Sequence, residues 1–509
     1  MDRVKEQAMD VARIAAVKAA LQSPAGRMMR QELGNWVIRL LPAEKVVPEI
    51  YAEWRPLVRD AMLFMIAHLS AARLAPKLVE QLQLPPETAP ETRLLRLIAK
   101  VPGLQKIGQV LARNRHLDPA LRAALSELEN GIHDMGVKQI DALIRKQLGR
   151  RLEAYAVEIE PGVLAEASVS AVVRFTWRNP ASGRRERGVF KVLKPHVPAC
   201  FAEDLELLQQ LAQFLSDKHP EYGHALPETI LEVRSLLEHE VDFRREQAVL
   251  ADAALVYKKV RGVRVPRLIA PLSTPGITAL SEESGVKVTA ALADASTSER
   301  RQAAARLIEA LVAVPLFARG DRSVFHADPH AGNLLYDART GEIVLLDWAL
   351  TESLTREQRR HTALLAVMLG LRDPVGVCGE IESLALGRRL SPAHQSFMRE
   401  HVNRFIGQLP FGRLPSSLDA MRLLDRLALE GIRFPPALMM FRKVLFTLDG
   451  ILHDIAAPGL RMDLILARYM LARSPLSLID WIGVEASALL YGGRLWVQWA
   501  QAALSRAGG

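Results

Sequence analysis

Val324-Phe325-His326-Ala327-Asp328-Pro329-His330-Ala331-Gly332-Asn333-Leu334-Leu335-Tyr336-Asp337, continued after Thr340-Gly341 by Glu342-Ile343-Val344-Leu345-Leu346-Asp347-Trp348, sets the terms for reading this 509-residue chain. A short apolar run enters a polar cluster. A second apolar run, Ile343 to Leu346, leaves it and ends in an acid. Runs of this kind bounded by Gly and Asp predict short buried strands around a loop. Asn333 stands five residues after Asp328, and Asp347 fourteen after Asn333. Carboxylate and amide oxygens at such positions suit a hard cation such as Mg²⁺, which shares them with phosphate.

Phosphoryl-transfer enzymes use this spacing. One Asp meets the substrate hydroxyl, an Asn five residues on holds metal, and a second Asp after a strand holds metal against ATP phosphates. Two other readings stay open on this stretch alone. The residues could be ordinary turn formers, or His-x-Asp-x-His could be a metal-ligand pair in an unrelated hydrolase.

A chain of this length predicts two or three domains, or a two-lobed domain with extensions. Its composition is globular, 49% hydrophobic and 24% charged. Net charge is +9, from 66 Lys+Arg against 57 Asp+Glu. Arginines are scattered through helical segments and form no run, which points away from nucleic acid. Cys200 and Cys378, the 2 cysteines, form no Cys-x-x-Cys pair, so the expectation is a reducing compartment without disulfides. The opening Met-Asp-Arg-Val-Lys-Glu has no apolar run, so no secretory signal is expected.

Residues 1–95 read as helices, with Ala61 to Ala75 as a buried core helix and Pro85-Pro86 and Pro90 as a linker. That apolar stretch is shorter than the roughly 20 residues a bilayer span needs. Lys106 and Gln109 share one helix face, with Gly108 between them, and Leu117 to Leu152 continues helical. From about Tyr155 the texture changes. Val163 to Trp177, the turn Asn179 to Gly183 and Gly188 to Leu193 predict a hairpin and a third strand carrying the lone Lys191. Ala165, Ala167 and Ser168 lie in the loop before it. Residues 199–260 read as helical, and Glu240, Asp242 and Glu246 cluster there. A lysine in a cleft needs a carboxylate to hold it, and Glu246 is the expected one. A surface helix pairing its acids with Arg244 and Arg245 is the alternative. Val265 to Ile269 and Ile277 to Leu280 predict strands, Ser281 to Gly285 a link, and Ser298 to Arg319 one amphipathic helix. Everything after Asp347 reads as helical. Leu476 to Leu504 carries Trp481, Trp496 and Trp499, and fits either an interfacial membrane helix or one docked on the protein.

Together these motifs resemble the UbiB/ADCK-type atypical kinases of the protein-kinase-like superfamily. The resemblance covers roughly residues 100–350. Gln105-Lys106-Ile107-Gly108-Gln109 resembles that family's K-x-G-Q signature, and Leu164 to Ser170 its alanine-rich phosphate loop. Phe190 to Pro195 resembles its lysine strand, Glu240 to Glu246 its E-x-D motif with the following Glu, and Phe325 to Asn333 its catalytic loop. The resemblance implies an α+β, two-lobed protein-kinase-like fold with a helical N-terminal extension and a helical C-terminal tail. It divides the chain into a helical region 1–98, the K-x-G-Q extension 99–154, an N-lobe 155–289, a C-lobe 290–470 and an amphipathic tail 471–509.

It also implies roles. Lys191 would contact ATP phosphates and pair with Glu246. Asp328 would sit at the catalytic-base position, and Asn333 and Asp347 would hold Mg²⁺. The loop residues Ala165, Ala167 and Ser168 would cover the nucleotide. Lys106 and Gln109 would reach over the site and meet Glu240 and Asp242, closing the groove where a protein kinase takes peptide. The implied function is an ATPase or a small-molecule or lipid kinase in ubiquinone or other isoprenoid-lipid metabolism. The implied setting is cytoplasmic, peripheral at the inner membrane, with a quinone-like lipid, a membrane surface and a homodimer among the partners. The alternatives are a catalytically weak pseudokinase scaffold for lipid-synthesising enzymes and a small-molecule phosphotransferase. Three departures stand out: Asp347-Trp348-Ala349 replaces Asp-Phe-Gly, Glu166 is set among the loop alanines, and in the expected hinge Ala279 to Glu283, Ser281 stands where the family has an acid.

Overall fold

The computed structural model describes residues 2–40, 42–47, 49–98, 101, 105, 136–167, 169–222, 234, 237–387, 390–410, 415–455 and 461–472. Helices and sheets are mixed, the expected α+β class, and the chain divides into two compact units, Met1–Gln247 with Leu268–Glu282, and Ala248–Arg267 with Glu283–Gly509.

The first unit has a helical part and a sheet. Helices Asp2–Gln22, Gly26–Leu40, Arg55–His68, Ala71–Gln83, Pro90–Ile98 and His196–Lys218 contribute to its helical part. Leu21, Val37, Phe64, Leu74, Leu207 and Leu211 share one buried cluster. The apolar stretch 61–75 is not the single helix expected. It breaks at Leu69-Ser70, and the flanking helices are bent by 114°. The cause lies outside the stretch. Arg30 Nη1 donates to the carbonyls of Ile66, Ala67 and Leu69 at 3.2, 3.0 and 2.7 Å, answering carbonyls a helix end leaves unpaired. Ser70 N donates to Glu203 at 2.9 Å. Pro90, read as linker, opens a helix instead, the first-turn position where its missing N–H costs nothing. Among the described residues no single helix is long and apolar enough to cross a membrane, and this bent pair passes by length and composition only together.

The sheet comprises β1 (Glu158–Ile159), β2 (Ala165–Glu166), β3 (Ser170–Arg178), β4 (Arg185–Leu193) and, after the next strand of the chain, β6 (Ile277–Ser281). Its order is β1-β3-β4-β6, with β2 also on β3 and all pairs antiparallel. Alternation sets its faces. Val173, Phe175, Trp177, Phe190, Val192 and Ala279 point one way, against Ile140, Ile144 and Leu148 of helix Val137–Leu148. Phe175 stacks on Phe190 at 3.8 Å. Gly188 makes room for that stack, since a Cβ there would stand 2.5 Å from the Phe175 ring.

In the second unit β5 (Val263–Arg264), β7 (Val286–Lys287), β9 (Leu334–Asp337) and β10 (Glu342–Leu345) form a sheet ordered β5-β10-β9-β7. β8 (Arg322–His326) pairs antiparallel with β11 (Thr351–Thr355). Two expectations are corrected here. Val265 to Ile269 is no strand: Pro266 has no N–H for a ladder, so pairing stops at Arg264, and only Leu268 makes an isolated bridge. The chain after Asp347 is not helical throughout, because β11 intervenes. The expected helix 298–319 runs as Thr297–Ile308, a π-helical turn Glu309–Ala313 and Val314–Leu316, stopping short of Arg319. Its start is a capping box, with Ser296 Oγ and Glu299 answering each other's backbone N–H. Helices Arg356–Gly370, Pro374–Leu384, Pro392–Gln408, Ser417–Leu429, Pro436–Ile455 and Met462–Ala472 follow. The expected amphipathic tail lies outside the described residues.

Candidate active site

Lys191 lies between Phe190 and Val192, which are both fully buried, so strand alternation turns it to the opposite face of the sheet. There its Nζ donates to Glu246 Oε1 at 2.7 Å, and the two side chains are 12% and 3% exposed. The ammonium also stands 5.5 Å from the centre of the Phe243 ring, a cation–π contact. Glu246 is held by its own helix, Phe243–Tyr257. Asp242 caps that helix, accepting the Arg245 N–H at 3.0 Å. Gln247 Nε2 donates to Thr274 O at 2.9 Å and to Thr278 Oγ1 at 3.1 Å, tying the first turn to β6. Glu246 thus faces Lys191, as expected for the carboxylate that holds it. Asp242 is exposed at the cap and Glu240 is half-buried just before it. Lys106, Gln109 and Ser168 lie outside the described residues.

The alanine loop alternates as well: Ala165 and Ala167 are exposed and Glu166 is buried between them. The carboxylate that would repel phosphate points away from the surface.

The second set of residues lies in the second unit. His326, at the end of β8, uses both ring nitrogens on backbone. Nε2 donates to Leu346 O at 2.8 Å, and Nδ1 accepts from Asp328 N at 3.2 Å. That pattern requires a neutral ring with its proton on Nε2. Burial pushes the imidazole pKa down and keeps it neutral. A ring so engaged is no metal ligand, which removes the hydrolase reading of His-x-Asp-x-His. Asn333 Nδ2 donates to Asp328 O at 3.2 Å, while Asn333 O accepts from Leu346 N at 2.8 Å. The Leu346 peptide is therefore gripped at both ends, by His326 and Asn333, immediately before Asp347.

Asp347 has φ of +53°, uncommon for a residue with a side chain, and such backbone clusters at functional sites. Its Oδ1 accepts from Ala349 N at 3.3 Å. Trp348 is buried, donates Nε1–H to Leu345 O at 3.1 Å, and packs near the rings of Tyr257 and His326. Among the described residues no group of three or more His, Cys, Asp or Glu could hold a metal by itself. The donors on hand, one amide and one carboxylate joined through Leu346, fit a Mg²⁺ ion that draws its other ligands from phosphate and water.

One residue escapes the sequence reading. Lys443, on helix Pro436–Ile455, places Nζ 3.7 Å from Asp328 Oδ1, with His330 Nε2 3.9 Å from Oδ2. Phe441 of the same helix meets Phe325 edge-on at 5.3 Å and fixes the helix against β8. No local pattern marks Lys443, because the contact is made by packing between segments remote in sequence.

Residues 127–378 match the ABC1 atypical kinase-like domain. The probable protein kinase UbiB of Xanthomonas axonopodis pv. citri is 24% identical over 360 residues, covering 68% of this chain and 63% of that one. Its counterpart in Xylella fastidiosa strain M23 is 23% identical over the same shares. The uncharacterized protein sll1770 of Synechocystis is 24% identical over 362 residues, 70% of this chain and 60% of its own. The chain thus matches less than two thirds of the length of these relatives. The solved complex of Rv3197 with erythromycin from Mycobacterium tuberculosis is similar at a TM-score of 0.47 and 18% identity, over 69% of this chain and 87% of that one. With its ABC1 domain and its UbiB relatives, the chain belongs to the UbiB/ADCK family of atypical kinases.

Proposed function

We infer that this chain binds ATP with Mg²⁺ and uses it in phosphoryl-transfer chemistry, either hydrolysis or transfer to a small lipid-like acceptor. The Lys191–Glu246 ion pair carries the reading: a lysine drawn out from a strand and held by a helix carboxylate at 2.7 Å is set to meet phosphate oxygens. Asp328 is the acceptor-facing carboxylate, and Asn333 and Asp347 hold the metal, which when bound neutralises phosphate charge. Ala165 and Ala167, both exposed, cover the phosphates, and the resemblance assigns Ser168 to the same cover. The resemblance assigns Lys106 and Gln109, outside the described residues, to meet Glu240 and Asp242 over the acceptor side, an arrangement that would exclude peptide and favour a small substrate. In this reading, carried by the motif resemblance to UbiB/ADCK-type kinases, the protein serves ubiquinone or other isoprenoid-lipid metabolism, is cytoplasmic and peripheral at the inner membrane, and pairs with a second copy.

One observation favours a second reading, a nucleotide-binding scaffold with little turnover. Trp348 is pinned by its indole hydrogen bond and two ring contacts, and Ala349 follows where a flexible glycine would let the segment move. ATP consumption by purified protein with Mg²⁺, with and without liposomes and a quinone-headgroup analogue, separates the two. Stimulated hydrolysis lost in Asp347→Asn supports the enzyme. Nucleotide binding without turnover in any condition supports the scaffold. Mg²⁺-dependent binding unchanged in Asp347→Asn sinks the metal assignment.

A further inference from the structure

Glu166 is the residue of the alanine loop whose charge argues against a place beside phosphate. The ladder shows where it goes instead. Ala165 pairs with Val172, and Val172 pairs with Lys191. Glu166 pairs with Ala171, which belongs to the apolar face. Directly opposed residues share a face. Ala165 therefore lies on the Lys191 side of the sheet, and Glu166 projects through to the other side. There its Oε1 meets Lys194 Nζ at 2.8 Å, and the two side chains are 0% and 1% exposed.

Lys194 follows Lys191 by three residues, just past the end of β4. It holds the loop twice. Its side chain holds Glu166 on the ascending strand, and its backbone N–H donates to Val169 O at 2.9 Å in the turn. Ala167 N closes the same turn on Ser170 O at 2.8 Å. Charges this deeply buried are retained only when paired. Neither partner can shift without breaking this contact, so the loop and the lysine strand are fixed to each other at this point.

We propose that Glu166 and Lys194 are a positioning pair for phosphate binding: they set the alanine loop at a fixed height beside the strand that carries Lys191, and so set how tightly a nucleoside triphosphate is held. This rests on the reading of the Ala165 to Ser168 loop as the phosphate cover. The pair does not touch the nucleotide and acts through the loop. A loop held in place before binding loses less on binding than one that must be ordered.

The test is equilibrium binding of a fluorescent ATP analogue with Mg²⁺ to the full chain, with thermal melting measured in parallel. The variants are Glu166→Gln, Lys194→Met, the neutral double Glu166→Gln/Lys194→Met, and the reversed double Glu166→Lys/Lys194→Glu. Lys191→Met and Ala165→Asp probe the phosphate-loop reading itself. Each single variant is expected to melt lower and to bind about tenfold more weakly or worse, because pre-organisation is lost. The neutral double is expected to recover melting temperature but not affinity, a split that a purely structural pair would not give. The reversed double is expected to recover both in part. Wild-type affinity in a folded neutral double, with Lys191→Met and Ala165→Asp both weakened, overturns the positioning role alone. Unchanged affinity in Lys191→Met and Ala165→Asp as well overturns the phosphate-loop reading and the proposal with it. Should the single variants fail to fold, the two doubles decide.

Discussion

Lys443 Nζ stands 3.7 Å from the carboxylate of Asp328, although the helix that carries it lies beyond residues 127–378 of the family match. Asp328 is buried and the Lys443 side chain is 33% exposed, so the partly solvated cation sits beside a carboxylate largely out of water. A cation there can steady Asp328 and offset negative charge on a transferring phosphoryl group. Preorganised charge of this kind is among the larger contributions to catalysis. Lys443→Met is expected to lower kcat for ATP consumption by about 100-fold, with a smaller change in KM, in line with losing one charge-stabilising group. Lys443→Arg keeps the charge and should retain part of the rate. Steady-state kinetics of the three proteins checks this, and a Lys443→Met enzyme with unchanged kcat removes Lys443 from the site.

The Lys191–Glu246 pair makes a separable prediction about stability. Both side chains are largely out of water, and the Lys191 ammonium also faces the Phe243 ring. Removing either partner leaves a charge that burial disfavours, while removing both does not. Lys191→Met and Glu246→Gln should each destabilise, and the double variant should be less destabilised than their sum. A coupling energy of about 1–3 kcal/mol is expected for residues in direct contact. Urea unfolding of the four proteins measures it. Additive losses would mean that the pair carries no energetic weight in solution.

How much of this could be read before the structure differs from place to place, for physical reasons. β2, β3 and β4 are legible because Val163 to Trp177 is rich in small and β-branched residues and Asn179 to Gly183 is turn chemistry, with Gly183 at φ +67°. The carboxylate partner of Lys191 is legible from chemistry alone, since a lysine between Phe190 and Val192 needs one. β11 is not legible. Thr351-Glu352-Ser353-Leu354-Thr355 has one large apolar residue and owes its extended form to β8, remote in sequence. The break at Leu69-Ser70 is hidden for the same reason: no Gly or Pro marks it, and Arg30 and Glu203 stabilise it from elsewhere. Glu166 reads as a misfit until Lys194 is seen behind it. Sequence shows which groups carry charge, but the pairing of Glu166, like that of Asp328 with Lys443, is settled by which side of a strand or helix faces inward.

Asp337, at the end of β9, supports a prediction about acid. Ser284 Oγ donates to its Oδ2 at 2.5 Å, Arg264 Nη2 to the same oxygen at 3.1 Å, and Arg339 N to Oδ1 at 3.0 Å. These donors favour the charged form and hold its pKa at about 2, below the ordinary 3.8, with the Ser284 hydroxyl the largest cause. Because the folded value is the lower one, the unfolded chain binds the proton first as pH falls. The stabilisation is complete above the ordinary value, declines as pH drops through this window, and is gone below the folded value of about 2. Ser284→Ala removes the strongest donor and brings the two values closer. Its acid-unfolding curve, followed by tryptophan fluorescence at fixed temperature and salt, should begin at higher pH than that of the wild type, while neutral-pH spectra coincide. The anchored segment is the one that leads from Glu283 into β7, where Gly285 has φ +140° and a Cβ would stand 3.0 Å from Leu335. Coincident acid limbs for wild type and Ser284→Ala would show that Arg264 and the Arg339 amide hold Asp337 without the hydroxyl, and that Ser284 has no share in fixing the segment.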